Sequence, residues 1–167
     1  MVSKNLVTLF STLNRHRVNY VVVGGFAVNF YGYQRFTKDI DLLVSLTSED
    51  LSNLLAALQE LEFRPIYPID LEEFCNEEKR KQWVTERNMT VFSVVSDLLP
   101  TVTLDLFVDP PYLFNEIKEQ RNYDYLDGDI PIPIIDLQHL IEMKEKVGRD
   151  QDKIDVEYLK KLKDEYL

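Results

Sequence analysis

The sequence predicts an α+β fold, a mixed α/β sheet flanked by helices. Strands alternate with helices in the first part of the chain, hairpins follow, and two helices close it. The 167 residues are 45% hydrophobic, enough for a core, and no repeat, low-complexity tract or linker divides them. We therefore expect one domain over residues 1–167, with residues 135–167 as a short C-terminal helical pair packed on it.

The first elements alternate between helical and extended patterns. Ser3 can cap a first helix, which is predicted to end at the three cations of residues 15–17. Its apolar stripe consists of Leu6, Leu9, Phe10 and Leu13. The pattern then predicts a buried strand at 19–23, a short helix at 26–31, a strand at 38–44 and a helix at 48–61.

The later elements include two pairs of strands. The charged segment 70–82 is predicted to be helical, and strands at 83–96 and 101–108 are predicted to pair across the turn at 97–100. Asp127-Gly128 predicts the turn of a hairpin over 123–134. Two helices, at 136–147 and 150–162, are expected on either side of Gly148.

Composition excludes several classes of function. Nineteen Lys and Arg against 29 Asp and Glu give a net charge of -10, which argues against binding to a long nucleic-acid lattice. One cysteine, Cys75, and two histidines exclude a disulfide framework and a typical structural zinc site, so a metal would be held by oxygen. No cleavable or membrane-spanning apolar segment is present, which predicts a cytoplasmic protein without a membrane partner.

Three aspartates in strand patterns are the candidate catalytic and metal-binding residues. Asp39 and Asp41 are two apart on one strand, so their side chains project to the same face about 6.5–7 Å apart. Asp105 has the corresponding position on a second strand, and if the strands are neighbours the three carboxylates converge on one or two divalent cations. The simpler interpretation is a solvated sheet face. The apolar residues between and after the acids disfavour a calcium loop.

Gly24-Gly25 is a candidate phosphate-binding turn. It directly follows a buried strand and precedes a short helix, so backbone N–H groups there can approach an anion without a Cβ in the way. Many such turns merely let a strand bend into a helix. The pattern is neither a P-loop nor a dinucleotide-binding fingerprint, because the further residues that those motifs require are missing.

Several cations and aromatic residues are candidate nucleotide contacts. Lys144 lies on the apolar stripe of its helix, so it either points inward or covers core with its stem. Asp152 and Asp155 share the buried face of the last helix and are expected to orient Lys144 or Arg149.

The other candidate contacts have two interpretations each. Arg35 and Lys38 flank it and either meet phosphate oxygens or belong to a plain surface. Trp83, Tyr31 and Tyr33 either stack on a base or pack in the core, and packing is the commoner role of aromatic residues.

Taken together, these motifs resemble the DNA polymerase β-like nucleotidyltransferase superfamily. The closest similarity is to its small prokaryotic branch of minimal, antibiotic and abortive-infection toxin-type nucleotidyltransferases. The matching segments are 22–27, 32–44 and 103–107, followed by a late lysine helix at 136–144 and an Arg-x-x-Asp-x-x-Asp element within 148–155. The resemblance implies a nucleotidyltransferase-like mixed sheet flanked by helices.

The resemblance also implies roles for individual residues. Asp39, Asp41 and Asp105 would hold two Mg²⁺ ions, or Mn²⁺, and Asp105 would also lie next to the acceptor hydroxyl. The nucleotide-binding set would be Gly24, Gly25, Arg35, Thr37, Lys38, Lys144 and Arg149, with Asp152 and Asp155 supporting it. The chain departs from the superfamily at Gly25, where many members carry serine, and at Gln151, where relatives often carry lysine.

The leading hypothesis is therefore a metal-dependent enzyme that moves a nucleoside monophosphate from an NTP to a hydroxyl acceptor and releases pyrophosphate. The alternative, suggested by the departures at Gly25 and Gln151, is a catalytically weak, nucleotide-sensing or partner-binding module of a toxin–antitoxin or defence pair. ATP is the first candidate donor, and the acceptor is a small molecule, a tRNA or a partner protein. A homodimer is possible, because small members of the superfamily often form one.

Overall fold

The computed structural model describes residues 3–166, within which seven strands form one mixed sheet. The strands are β1 (Tyr20–Val23), β2 (Asp39–Val44), β3 (Arg64–Pro65), β4 (Val91–Val95), β5 (Thr103–Phe107), β6 (Asn122–Leu126) and β7 (Ile130–Ile134). The helices are α1 (Lys4–Arg15), α2 (Gly24–Phe30), α3 (Ser48–Glu60), α4 (Glu77–Arg87), α5 (Phe114–Ile117), α6 (Leu137–Val147) and α7 (Asp150–Tyr166), with a 3-10 helix at Leu71–Cys75. The α+β prediction is confirmed.

The sheet has the order β3-β4-β5-β2-β1-β7-β6. Strand β2 is antiparallel to β1 and parallel to β5, so the strands that carry the candidate acids are direct neighbours. Strand β7 is parallel to β1, and the remaining pairs are antiparallel. This arrangement places Asp39, Asp41 and Asp105 in the middle of the sheet.

The helices form two groups of contacts around the sheet. Helix α2 contacts β2 and α6, and α6 contacts α7. Helix α3 contacts α1 and the 3-10 helix, which contacts α4. The core lies between these groups and the sheet, where Leu42, Leu104 and Phe92 are fully buried because they alternate with the polar residues of the opposite face.

The prediction of a strand from residue 83 was wrong over its first part. Helix α4 continues to Arg87 and ends at Asn88, whose left-handed backbone stops it. The side chain of Trp83 is 3% exposed and stacks on Phe92 at 5.3 Å between ring centroids. This contact favours the helix over a strand, and it excludes the alternative in which Trp83 stacks on a nucleotide base.

The hairpin and the two closing helices agree with the prediction. Asp127 and Gly128 have positive φ angles at the β6–β7 turn, and Gly148 has a φ of +67° between α6 and α7. The prediction missed β3 and α5, because segments of two and four residues are too short for periodicity to detect. None of the helices within residues 3–166 has the length and apolar character needed to span a membrane.

Candidate active site

Strand pairing brings two of the three candidate acids side by side. In the parallel ladder of β2 and β5, Asp41 pairs with Asp105 and Asp39 pairs with Thr103. Neighbouring strands lie about 4.8 Å apart, and all three carboxylates project to the same face of the sheet. Asp41 and Asp105 therefore form the centre of the site, and Asp39 lies two residues earlier, at the start of β2.

The glycine turn lies directly against Asp41 of this pair. Strand β1 places Val23 opposite Asp41, and the chain turns at Gly24 with a φ of +64°. A Cβ atom at position 24 would lie 2.0 Å from Oδ2 of Asp41. Only glycine fits this backbone conformation and this close approach. The turn and the acids therefore share one site.

Gly25 borders two polar side chains of the segment that precedes β2. A Cβ atom at position 25 would lie 2.7 Å from Nη2 of Arg35 and 2.8 Å from Oγ1 of Thr37. The space that a side chain would need at this position is thus already filled. The following helix, α2, has only seven residues, so these side chains offer more to an anion than its dipole does.

Burial and neighbouring charges raise the pKa of Asp41. Desolvation, together with the charges of Asp105 and Asp39, raises the pKa of Asp41 to about 7, although Lys144 and Arg149 oppose the rise. Such an elevated pKa is typical of carboxylates that meet a cation or proton in function.

Asp105 has a free, buried oxygen. Burial is the main cause that raises the pKa of Asp105; the charge of Asp39 acts in the same direction and the Ser93 hydroxyl opposes both. Its Oδ1 atom is buried and has no hydrogen-bond partner among the described residues. Ser93, opposite Asp105 on β4, was not singled out from the sequence; the predicted pairing of the two strands across residues 97–100 was the available signal, but it left their register open.

The C-terminal helices supply a buried ionic cluster beside the acids. Lys144 Nζ lies 3.1 Å from Asp152 Oδ1 and 2.7 Å from Asp155 Oδ2, and all three side chains are buried. Arg35 Nη2 also reaches Asp155, at 3.0 Å, and Gln151 donates to the other oxygen of the same carboxylate. Lys144 thus points inward, and Gln151 is part of the cluster.

Arg149 and Lys38 lie at the outer side of the site. Arg149 donates from Nε to Asp152 at 2.8 Å while its side chain remains 75% exposed. Burial alone would raise the pKa of Asp152, yet hydrogen bonds from Arg149 and Lys144 lower it below its ordinary value. Lys38 is exposed.

The two tyrosines considered for base stacking make contacts within the protein. Tyr31 donates to the carbonyl of Ile135 at 2.7 Å, and Tyr33 stacks on Tyr158 with ring centroids 4.9 Å apart. The sequence could not indicate these partners, which lie more than a hundred residues along the chain.

The donor set suits a divalent ion whose coordination is completed by the substrate. Within residues 3–166, no group of three or more His, Cys, Asp or Glu side chains is arranged to hold a metal by itself. Magnesium is usually bound by one or two carboxylates together with waters and substrate phosphates, so a closed protein cage is not required. The free Oδ1 of Asp105, beside Asp41, fits such a site.

Several solved structures share this fold. The lincomycin-bound lincosamide antibiotic adenylyltransferase LnuA is 14% identical, with a TM-score of 0.62 over 96% of this chain and 98% of that one. The antibiotic-resistance factor ANT(2'')-Ia is 15% identical, with a TM-score of 0.58 over 93% and 80% of the two chains. JHP933 from Helicobacter pylori is 16% identical, with a TM-score of 0.51 over 95% and 64%.

Sequence comparison identifies the family. Comparison with curated proteins finds no match. The profile of the family described as "Nucleotidyl transferase AbiEii toxin, Type IV TA system" matches residues 8–144, which include all seven strands and the three aspartates of the sheet. This match and the shared fold confirm the resemblance to small polymerase β-like nucleotidyltransferases. The chain is therefore a nucleotidyltransferase and belongs to the AbiEii toxin family.

Proposed function

We propose that the protein transfers a nucleoside monophosphate from an NTP to a hydroxyl acceptor, with release of pyrophosphate, in a reaction that requires a divalent metal. The observation that carries this proposal is the pairing of Asp41 with Asp105 directly against Gly24. This pairing places two carboxylates next to a turn without side chains, and a metal-bound triphosphate requires both for binding.

Asp41 and Asp105 would hold the ion, with Asp39 beside them. When bound, Mg²⁺ or Mn²⁺ would neutralise charge on the reacting and leaving phosphates. Asp105 would also lie next to the acceptor hydroxyl and take its proton, since burial makes its carboxylate more basic than usual. The hydroxyl oxygen would then attack the α-phosphorus, and pyrophosphate would leave on the opposite side.

Positive charge for the nucleotide would come from the cluster around Asp155. Three cations, Arg35, Lys144 and Arg149, share two carboxylates, which leaves one net positive charge. The carboxylates fix the cations in place, so little orientation is lost when phosphates bind. Lys38, which is exposed, would contribute further charge.

Donor and acceptor are proposed from the chemistry of the relatives. LnuA is an adenylyltransferase and its structure contains lincomycin, which supports ATP as donor and makes a small molecule a reasonable first acceptor to test. Membership of a toxin family supports a role in a toxin–antitoxin system, for which a tRNA or a partner protein are the other acceptors to test.

The experiment is a transfer assay with α-labelled ATP, CTP, GTP and UTP, Mg²⁺ and the three classes of acceptor. We expect label on one acceptor, its loss on chelation of the metal, and its loss in Asp105→Asn. The exposed Asp164→Asn, far along α7, is the matched control and should behave as the wild type. Metal-dependent nucleotide binding without transfer to any acceptor would instead identify a nucleotide-sensing module.

A further inference from the structure

One buried charge within residues 3–166 lacks a partner of opposite charge. Four charged residues there are no more than 6% exposed, and three of them form the ionic cluster around Lys144. The fourth is Arg80 of α4, which forms no ion pair with the described residues. Glu77, three residues earlier, is paired with Lys81 at 2.8 Å instead. Because buried charges are normally paired, Arg80 calls for an anion from outside the chain.

The guanidinium of Arg80 is fixed in position with one edge free. Its Nη1 atom donates to the carbonyl of Phe74 at 2.6 Å, and its central carbon lies 5.7 Å from the centroid of the Phe74 ring. The Nε and Nη2 atoms make no hydrogen bond to residues 3–166, and neither atom is enclosed away from solvent. These two atoms form the side of a guanidinium that can bind both oxygens of a carboxylate. The free edge is therefore preorganised for a carboxylate.

Arg80 lines a pocket of about 500 Å³ between α4 and the segments that follow β2 and β5. This volume is in the range of small-molecule sites. Most of the other lining residues are apolar, namely Leu46, Val84, Val108, Pro110 and Leu113. The lining cation Lys81 is already neutralised by Glu77. The pocket thus offers one fixed positive charge among apolar walls.

The pocket is separate from the active site. Leu46 and Val108 follow the ends of β2 and β5, whereas the three aspartates lie within those strands. Helix α4 packs on the other face of the sheet, because Trp83 stacks on Phe92, and Phe92 faces away from Asp105. None of the described residues that line the pocket belongs to the candidate nucleotide-binding set. A ligand of this pocket is therefore not a part of the NTP.

We propose that this pocket binds a small carboxylic acid with a short aliphatic chain. The carboxylate pairs with Nε and Nη2 of Arg80, and the chain lies against the apolar walls, so one ligand satisfies both the charge and the apolar surface. A phosphate fits less well, because its second negative charge would meet only Lys81, which Glu77 already neutralises. An amine would be repelled by Arg80.

The test is a titration of the ¹⁵N-labelled full chain with hexanoate, followed by NMR through the Nε–H signal of Arg80 and the backbone amides of residues 108–113. We expect these signals to shift saturably. The dissociation constant should be at least about tenfold lower than that of acetate, since each buried methylene strengthens binding. Hexylamine and inorganic phosphate at the same concentrations should leave the signals in place.

Two variants examine the charge and the walls of the pocket. Arg80→Lys keeps a cation but removes the planar edge, and it should weaken hexanoate binding about tenfold or more. Leu113 is 62% exposed, so Leu113→Ser should leave the fold intact and still weaken hexanoate binding about threefold or more. This second variant keeps the test decisive if Arg80→Lys does not fold, which thermal unfolding checks.

Matched controls alter the same residue types outside the pocket. Arg87→Lys changes an exposed arginine of the same helix, and Leu98→Ser changes a leucine that is 53% exposed in the turn after β4. Both should bind hexanoate as the wild type does.

The proposal is overturned by the absence of a saturable shift with hexanoate, by equal affinities for acetate and hexanoate, or by unchanged affinity in Leu113→Ser. N-acetyl-leucine presents a carboxylate and an aliphatic group as the end of a peptide does. Tighter binding of N-acetyl-leucine than of hexanoate would assign the pocket to a peptide terminus and overturn its assignment to a free acid. No turnover is measured, so the result is independent of the proposed nucleotide transfer.

Discussion

Gly24 and Asp41 constrain each other. The glycine has a positive φ and its Cα faces Oδ2 of Asp41, so the turn can approach the carboxylate only because no side chain intervenes. The same closeness removes water from Asp41 and contributes to its raised pKa. A change at either residue is therefore expected to affect both the stability of the turn and the binding of phosphate.

A comparison of Gly24→Ala with Gly128→Ala tests the contact between Gly24 and Asp41. Gly128 also has a positive φ, +90°, but nothing lies within 4 Å of where its Cβ would be. Gly128→Ala should cost about 1–2 kcal/mol of unfolding free energy from backbone strain alone. Gly24→Ala should cost at least about 1 kcal/mol more, because Asp41 must move, and should abolish nucleotide transfer. Equal destabilisation of the two variants, by urea unfolding, would contradict the contact.

Asp41 makes the stability of the protein depend on pH. Because its pKa is raised from 3.8 to about 7 in the folded state, the folded protein keeps a proton that the unfolded chain releases. The unfolding free energy without metal should therefore fall as pH rises from 4 to 8, by at most about 4 kcal/mol from this group, at about 1.4 kcal/mol per pKa unit.

Asp41→Asn should remove that contribution. We expect the variant to be more stable than the wild type at pH 8, and the advantage to disappear near pH 4, in urea unfolding with chelator present. Mg²⁺ should stabilise the wild type more at pH 8 than at pH 6, because the proton competes with the metal, and should stabilise the variant less. A constant difference between the two proteins across this pH range would contradict the assignment.

At the scale of elements, α7 is attached to the site by Asp155. This fully buried carboxylate binds Lys144 of α6, Arg35 of the segment before β2 and Gln151 of its own helix. Removing one partner of a buried ionic cluster leaves the others uncompensated, which costs far more than losing an exposed pair. The helical pair is thus expected to stabilise the fold and to position the cations at the same time.

Asp155→Asn tests this attachment. We expect it to lower the unfolding free energy by about 3 kcal/mol and to weaken nucleotide binding, since Lys144 and Arg35 lose their shared partner. The control is Glu157→Gln on the same helix, whose exposed pair with Lys161 should contribute less than about 0.5 kcal/mol. Similar losses in both variants by denaturant unfolding would show that Asp155 has no special role.

Sequence patterns correctly predicted the face on which a side chain lies where a single strand or helix contains the whole pattern. Alternation on β2 and β5 predicted that Asp39, Asp41 and Asp105 share a face, and helical spacing predicted that Lys144 lies on the inner stripe. The pattern could not give the partner of Arg35, because Asp155 comes from a distant element. It predicted that the strands of Ser93 and Asp105 pair, but not the register that places these two residues opposite each other. It misassigned Trp83 because aromatic and β-branched residues suit both a strand and a buried helix face.

The whole molecule carries a net charge of -10, whereas the cluster of Arg35, Lys144, Arg149, Asp152 and Asp155 beside the sheet aspartates carries one net positive charge. The carboxylates of the sheet need a cation, and the guanidinium beside them needs an anion. A metal-bound triphosphate provides both charges in one ligand. We therefore expect Asp41, Asp105 and the Gly24-Gly25 turn to form the site for that ligand.

The most direct test is a crystal structure with Mn²⁺ and an α,β-methylene analogue of ATP, in which the anomalous signal locates the metal. We expect Mn²⁺ within about 2.3 Å of oxygens from both Asp41 and Asp105, with the phosphates lying over Gly24 and Gly25. A metal bound by other residues, or phosphates placed away from that turn, would contradict it.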